Sequence, residues 1–271
     1  MSDHLIIGSY NLRTHGGKDP VPNDWESRMP RIRADISNLG YHIWGAQETC
    51  DFYAANICQG NNFTAIGHGR NENAEGEACH IYYDRERLEL LKHETFWLSS
   101  EPEVFSTVPG AIHPRICTAG IFRDRVSGRE FIFANTHLEH RVQEVQKLQL
   151  EYLFARLANY EKLPLILTGD FNAFPDSPAA LYAMEMLHDA RSISRTPVTY
   201  QGPTYHGFIS SPAKRTLKTQ DRIDYILVSD GITVERFEVP DNFTAPDTAS
   251  SDHYPLAAEI SFGAAGGDRT C

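Results

Sequence analysis

The chain has 271 residues, 41% of them apolar and 23% charged, a globular balance that excludes a disordered chain; no apolar run approaches membrane-spanning length. Asp plus Glu is 36 against 25 Lys plus Arg, a net charge of -11, and so acidic a surface disfavours long duplex DNA, whose capture needs many cationic contacts. Cys50, Cys58, Cys79, Cys117 and Cys271 are odd in number and lack Cys-x-x-Cys spacing, which excludes a zinc knuckle and a complete disulfide framework. With no basic then apolar leader at its start, the sequence reads as a soluble, cytoplasmic protein.

In chain order, residues 5–10 read as a buried strand that delivers Asn11 at its end. Residues 25–39 carry Ile32, Ile36 and Leu39 at helical spacing, and Gly40 ends that helix. A second buried strand over 43–48 again ends in a polar side chain, Glu48. Strands are expected at 63–67 and 78–83 around a polar loop, then a strand pair or one bent strand over 88–98. Three prolines between 102 and 114 predict a long surface loop. Strands at 115–122 and 130–135 lead to Asn135-Thr136-His137-Leu138. The clearest helical spacing, Val145, Leu148, Tyr152 and Ala155, lies within 141–157.

The stretch from Leu163 to Asp176 organises the chain. Its first half is an apolar run, and its second half breaks into Gly169-Asp170-Phe171-Asn172, where Gly169 is expected to supply a tight turn. Asp170 and Asn172 are two apart, so on an extended chain both side chains leave by one face. The alternative is an Asx-type turn that merely closes a loop. Ser177-Pro178 starts a further helix to about 187. Residues 191–221 read as loop, with Lys214, Arg215 and Lys218 as a basic mouth, before strands at 222–229, 234–239 and 253–262. The order describes one domain over 1–262, and the Gly-rich residues 263–271 are expected to fray.

Asn11, Glu48, His137, Asp170 with Asn172, Asp224, and Asp252 with His253 thus fall where strands begin or end. The inventory holds oxygen ligands for a hard cation and two imidazoles, and no Ser or Cys nucleophile paired with a base. Asn11-Leu12, Gln47-Glu48, Asn135-Thr136-His137-Leu138, Gly169-Asp170-Phe171-Asn172, Arg222-Ile223-Asp224-Tyr225-Ile226 and Ser251-Asp252-His253, in this order, resemble the endonuclease/exonuclease/phosphatase superfamily of magnesium-dependent phosphoesterases. Gly76-Glu77, Phe96-Trp97-Leu98-Ser99, Pro114-Arg115-Ile116-Cys117-Thr118 and Thr204-Tyr205-His206-Gly207-Phe208 resemble a bacterial branch near the deadenylase-like members.

The resemblance implies an α/β fold, a four-layer sandwich of two mixed β-sheets packed face to face with helices outside. It implies Glu48 as principal Mg2+ ligand, with Asn11 and Asp252 beside it and Mn2+ as an alternative ion. Asp170 would take a proton from the attacking water and Asn172 would orient it. His137 and His253 would donate to phosphate oxygens, with Asp224 fixing His253. Arg115, His206 and Glu77 are the substrate-side candidates. Bland readings stand beside these: Asp224 and Asp252 as partners of backbone amides, Arg115 as a brace of the long loop, His206 as a solvent-exposed histidine. The expected activity is Mg2+-dependent hydrolysis of phosphate esters, a phosphodiesterase first and a phosphomonoesterase on sugar or inositol phosphates second. A small phosphate ester fits the charge, as does a short single strand of nucleic acid stacked on Tyr200 or Tyr205. A non-catalytic phosphate-binding protein is the alternative of another class.

Overall fold

Strands apolar on both faces need cover on both faces, and alternation decides which residue meets which cover. The structure, a computed structural model, describes residues 3–214 and 222–263. From the N-terminus come β1 (Leu5–Asn11), α1 (Trp25–Leu39), β2 (Ile43–Gln47), α2 (Asp51–Cys58), β3 (Phe63–Ile66), β4 (Ile81–Asp84) and β5 (Leu88–Trp97). Next are β6 (Ile116–Asp124), β7 (Glu130–His137), α3 (Gln143–Leu157), β8 (Leu165–Asp170), α4 (Pro178–Met186), β9 (His188–Asp189) and α5 (Ala190–Ile193). The chain closes with β10 (Asp224–Val228), β11 (Ile232–Glu238), β12 (Phe243–Ala245), β13 (Thr248–Ala249) and β14 (Leu256–Phe262).

Two six-stranded sheets result, ordered β11-β14-β1-β2-β4-β3 and β5-β6-β7-β8-β10-β9, with β12 and β13 as a separate hairpin. Each sheet is mixed: β1–β2 and β7–β8 pair in parallel, joined through α1 and α3, while the other pairings are antiparallel. Ile7 and Ile43 of one sheet pack with Phe133, Ile166 and Ile226 of the other. On the outer faces, Trp44 and Tyr82 meet Ile32, Ile36 and Tyr53, while Ala134, Leu167 and Tyr225 meet Leu150, Leu153 and Ala183. The four-layer sandwich is therefore realised. Among the described residues no helix is long and apolar enough to cross a membrane.

Following the inward residues toward one end, hydrocarbon gives way to amides and hydroxyls. Gln47 Nε2 donates to Asn135 Oδ1 at 2.7 Å, and Asn135 Nδ2 donates to the carbonyls of Ala46 and His80, each at 2.9 Å. Thr168 Oγ1 lies 3.2 Å from Asn135 Oδ1. This peg crosses from sheet to sheet. It fits because residue 45 is glycine: a methyl group there would overlap Thr168 and Asn135.

Several elements differ from the sequence expectation. Residues 51–58 fold as α2, a two-turn helix whose only buried side chains, Tyr53 and Ile57, give too short an apolar stripe to register as periodicity. Residues 88–97 form one strand, with its register irregularity between Leu90 and Lys92. The buried face of α3 is Val145, Gln146, Gln149, Leu150, Leu153, Phe154 and Leu157, rotated from the expected stripe; Ala155 is exposed. Two buried glutamines disguised that face. The segment read as loop from 191 contains part of α5 and a short 3-10 helix at Pro212–Lys214. Arg215, Lys218 and the expected fraying tail beyond Gly263 lie outside the described residues. Among the described residues Cys50, Cys58, Cys79 and Cys117 are free thiols.

Candidate active site

The alternation that places Ile7, Phe133, Ile166 and Ile226 between the sheets continues two or four residues on to Asn11, His137, Asp170 and Asp224. These groups stand at strand ends on the inward faces, where the two sheets meet solvent. Asp170 and Asp224 face one another in the β8–β10 register. Glu48 follows β2, and Asp252–His253 precede β14. The six separate stretches therefore converge.

Asn11 is fully buried, and its Nδ2 donates to Glu48 Oε1 and Asp170 Oδ2, both at 3.0 Å. Glu48 Oε2 accepts from the Thr14 N–H at 2.9 Å. Asp170 Oδ1 accepts from the Asn172 N–H at 2.8 Å. The Asx turn and the candidate base are thus one feature, with the second oxygen facing the site. The turn itself falls at Asn172, with φ +50. Gly169 lies within β8, where a Cβ would overlap the Thr136 carbonyl oxygen. Its role is close approach, not the expected turn.

His253 Nδ1 lies 2.9 Å from Asp224 Oδ2, and Nε2 lies 3.8 Å from Asp170 Oδ2. Ligand atoms of Glu48, Asp170 and His253 all lie within 4.8 Å of one another. Asp252 is outside that group and is 3.8 Å from the Arg13 guanidinium. Asn172 Nδ2 contacts His137 Nε2 at 2.9 Å and the Leu138 carbonyl at 3.2 Å. Because the carbonyl only accepts, the amide nitrogen must face both, and His137 Nε2 is an acceptor in this arrangement.

The electrostatics follow from four carboxylates packed together. Burial, reinforced by Asp224, pushes Asp170 up to about 7 against the opposing pull of His253. Burial likewise raises Asp252. Burial alone would lower His253, but Asp224, Asp170 and Asp252 outweigh it and raise this imidazole to about 10. For Glu48, burial is outweighed by His253, the Thr14 N–H, Asn11 and Arg13, so its carboxyl lies below the usual range. Burial, with Arg115 and Arg70 nearby, holds His137 well below the ordinary imidazole value. An ionised, partly exposed Glu48 amid carboxylates forced upward is a donor set that fits a hard divalent cation.

These groups line a pocket of about 530 Å³. Arg13, Glu48 and Asn172, all lining it, hold φ of +57, +57 and +50, conformations that cost on the order of 1–3 kcal/mol each and are retained where surrounding structure fixes them. Arg115 also lines the pocket; it is 5% exposed, and its guanidinium makes no hydrogen bond or ion pair with any described residue. Glu77 lines it while paired with Arg70 at 2.8 Å.

His206 does not reach the pocket. It is fully buried, its Nε2 lies 3.2 Å from Asn242 Oδ1, and Phe243 and Tyr254 pack against its ring. Both expectations for it fail, substrate contact and solvent exposure, because the neighbouring Gly207 concealed the aromatic cage. Its backbone N–H donates to the Asp252 carbonyl at 2.8 Å and so braces the site. Tyr205 lines the pocket, whereas Tyr200 and Lys214 do not. The sequence reading missed Arg13, Arg70, His113, His140, Arg141 and Gln146, all lining residues. Arg13 and His113 stood directly beside motifs that could have flagged them, and His140 two residues beyond one.

Comparison with known proteins agrees with this arrangement. A structure of an endonuclease/exonuclease/phosphatase from Bacteroides vulgatus superposes with TM-score 0.87 at 27% identity, covering 96% of this chain and 99% of that one. A mannosyl-6-phosphatase from Bacteroides thetaiotaomicron gives TM-score 0.85 at 29% identity over 95% of this chain and 100% of that one. Protein angel of Drosophila melanogaster is 29% identical over 107 residues, 37% of this chain and only 29% of that longer protein. The model of the Endonuclease/Exonuclease/phosphatase family matches residues 8–253. With its two-sheet sandwich and converging acidic and imidazole groups, the chain belongs to the endonuclease/exonuclease/phosphatase family and is a phosphoesterase.

Proposed function

We propose that the chain is a divalent-cation-dependent hydrolase of phosphate esters acting on a small phosphorylated molecule, with a sugar phosphate monoester as preferred substrate. The observation that carries this reading is the meeting of Glu48, Asp170 and His253 within 4.8 Å in a pocket whose wall holds the unpartnered Arg115. Glu48, with Asn11 and Asp252 beside it, would hold Mg2+ or Mn2+. The cation would neutralise charge on the phosphoryl oxygens.

The protein's own residues supply the rest. Asp170, raised toward neutrality by burial and Asp224, accepts a proton from water positioned for in-line attack. Asn172, whose two Nδ2 hydrogens go to His137 and the Leu138 carbonyl, orients that water from its fixed turn by accepting from it at Oδ1. Asp224 keeps the proton of His253 on Nδ1, so a protonated ring presents its Nε2–H to developing negative charge. Arg115 offers donors to non-bridging oxygens. His137 Nε2 is engaged by Asn172, so His137 orients that amide, and donation to phosphate would fall to its other nitrogen.

A monoester ranks before a diester, reversing the order expected from sequence, for two reasons. Arg115 is an unpaired cation on the wall beside the Arg70–Glu77 pair, which suits a highly charged phosphate, and a relative similar across its whole length is a mannosyl-6-phosphatase. The diester reading keeps one supporting observation: the Tyr205 ring, 4.9 Å from the His253 ring at the pocket, is a platform on which a base can stack. Incubating the purified protein and Mg2+ with mannose 6-phosphate, p-nitrophenyl phosphate and bis(p-nitrophenyl) phosphate separates the readings. Phosphate release from the first two is expected. Undiminished activity in excess EDTA would overturn the cation dependence, and turnover of the bis-ester alone would restore the diester.

A further inference from the structure

The wall of the pocket beyond Asn172 contains a second buried group whose hydrogen-bonding capacity is unmet. Gln146, in the first turn of α3, is 2% exposed and lines the pocket. Its Nε2 donates to the carbonyl of Glu139 at 2.7 Å and to that of Asn172 at 2.9 Å. Carbonyls only accept, so these bonds fix which end of the amide is nitrogen. The remaining atom, Oε1, is a buried acceptor with no partner. A buried acceptor left unpaired is costly, and such a group in the wall of a pocket calls for a donor from whatever enters.

The surroundings of Gln146 are built rather than accidental. Glu139 is fully buried, and its carboxylate accepts from the backbone N–H groups of Ile112, His113, His140 and Arg141 at 2.8–3.4 Å. That clasp ties the end of the long loop to the segment after β7. The rings of His113 and His140 then stand stacked, 5.9 Å apart and 18° from parallel, on the same pocket wall. Gln146, tied to the Asn172 backbone, marks where this wall meets the phosphoryl end.

We propose that this wall is the leaving-group subsite, with Gln146 as a specificity-determining residue whose Oε1 accepts a hydroxyl proton from the leaving group. The inference rests on the phosphoesterase reading and narrows it to esters of polyhydroxylated alcohols. A hydroxyl satisfies Oε1, and a further hydroxyl meets the His113 imidazole, whose neighbour His140 is already held by Glu139 and Arg141. A hydrocarbon leaving group of equal size leaves Oε1 unpaired. A site built to pair a substrate hydroxyl rejects the analogue that lacks it far more strongly than an apolar pocket rejects a wrong shape.

The test compares kcat/KM for mannose 6-phosphate and n-hexyl phosphate, two primary alkyl esters with the same bond to cleave. The wild type is expected to favour the sugar by about tenfold or more, and Gln146→Met to narrow that ratio to about threefold or less, whatever happens to the absolute rates. A ratio does not respond to a general loss of folding or of Asn172 bracing. Equal treatment of both esters by the wild type, or a full preference kept by the variant, overturns the proposal. If Gln146→Met does not fold, deoxy sugar phosphates on the wild type replace it, and removal of at least one hydroxyl must lower kcat/KM by about tenfold. If neither ester is hydrolysed, the phosphoesterase reading fails separately. Calorimetry with Mg2+ then decides the subsite: tighter binding of mannose 6-phosphate than of n-hexyl phosphate supports it, and equal or absent binding overturns it.

Discussion

The two sides of the pocket satisfy their polar atoms in opposite ways. On the side proposed to hold the cation, both oxygens of Glu48 and of Asp170 accept hydrogen bonds from the protein, and Asn11 bridges the two carboxylates; Asp224 Oδ1 is the exception. On the opposite side, Arg115 Nε and Gln146 Oε1 are buried without partners. The first side is set before any ligand arrives, which holds reacting groups in place at no cost at the moment of reaction. The second leaves its hydrogen bonds for the substrate to complete, which is how a site gains selectivity.

Four expected outcomes can break or sharpen this contrast. Asp170→Asn removes the proton acceptor and should lower kcat by about 10³-fold or more with little change in KM, measured as phosphate release at saturating Mg2+. Glu48→Gln should raise the Mg2+ concentration for half-maximal rate by about 100-fold, read from a metal titration; an unchanged titration curve would remove Glu48 from the cation site.

Arg115→Met tests the other side. It should lower kcat/KM by about 10- to 100-fold while stabilising the fold by ~1 kcal/mol, because a buried, unpaired guanidinium is replaced by hydrocarbon. Loss of activity together with loss of stability would mean that Arg115 is a brace and not a substrate group. The smallest effect is that of pH on the metal-free protein. Asp170 has a folded value near 7, above its ordinary 3.8, so its contribution to stability is present at low pH and is lost as pH rises through 7. His253, raised from 6.5 to about 10, adds to the fall above pH 6.5, because the unfolded chain sheds that proton there while the folded one holds it until about 10. The melting temperature should therefore fall between pH 5 and pH 8, and less so in Asp170→Asn; a rising or flat profile would refute the assignment.

The convergence of Asn11, Glu48, Asp170 and His253 was legible in the sequence, and the wall with Arg115 and Gln146 largely was not. Asn11, His137 and Asp170 end apolar runs, and two-residue alternation on a strand carries a core position onward to a site position without ambiguity; Glu48, one residue out of that phase, reaches the site only through the turn at its own positive φ. Gln146 and Gln149 lie on a helix, where an amide on the buried face resembles a polar residue on the exposed one, so the stripe was drawn through Leu148 and Ala155 instead. His206 failed for a related reason: its cage comes from Phe243 and Tyr254, too far along the chain for local pattern to show. Arg115 was singled out beside a proline, but only the fold shows that no carboxylate answers it.

The peg of Asn135 and Gln47 has a consequence for alignment. Glu48 and Asn11 ride on one sheet, while Asp170 and Asp224 ride on the other. Sliding one sheet past its neighbour by a single residue, a shear of about 3.3 Å, would carry Asp170 away from Glu48 by as much as a whole hydrogen bond's length. The hydrocarbon filling between the sheets resists separation but has no directional preference against such slippage. A buried amide pair with fixed donors and acceptors does, so Asn135 acts as the detent that keeps two halves of a catalytic centre in step.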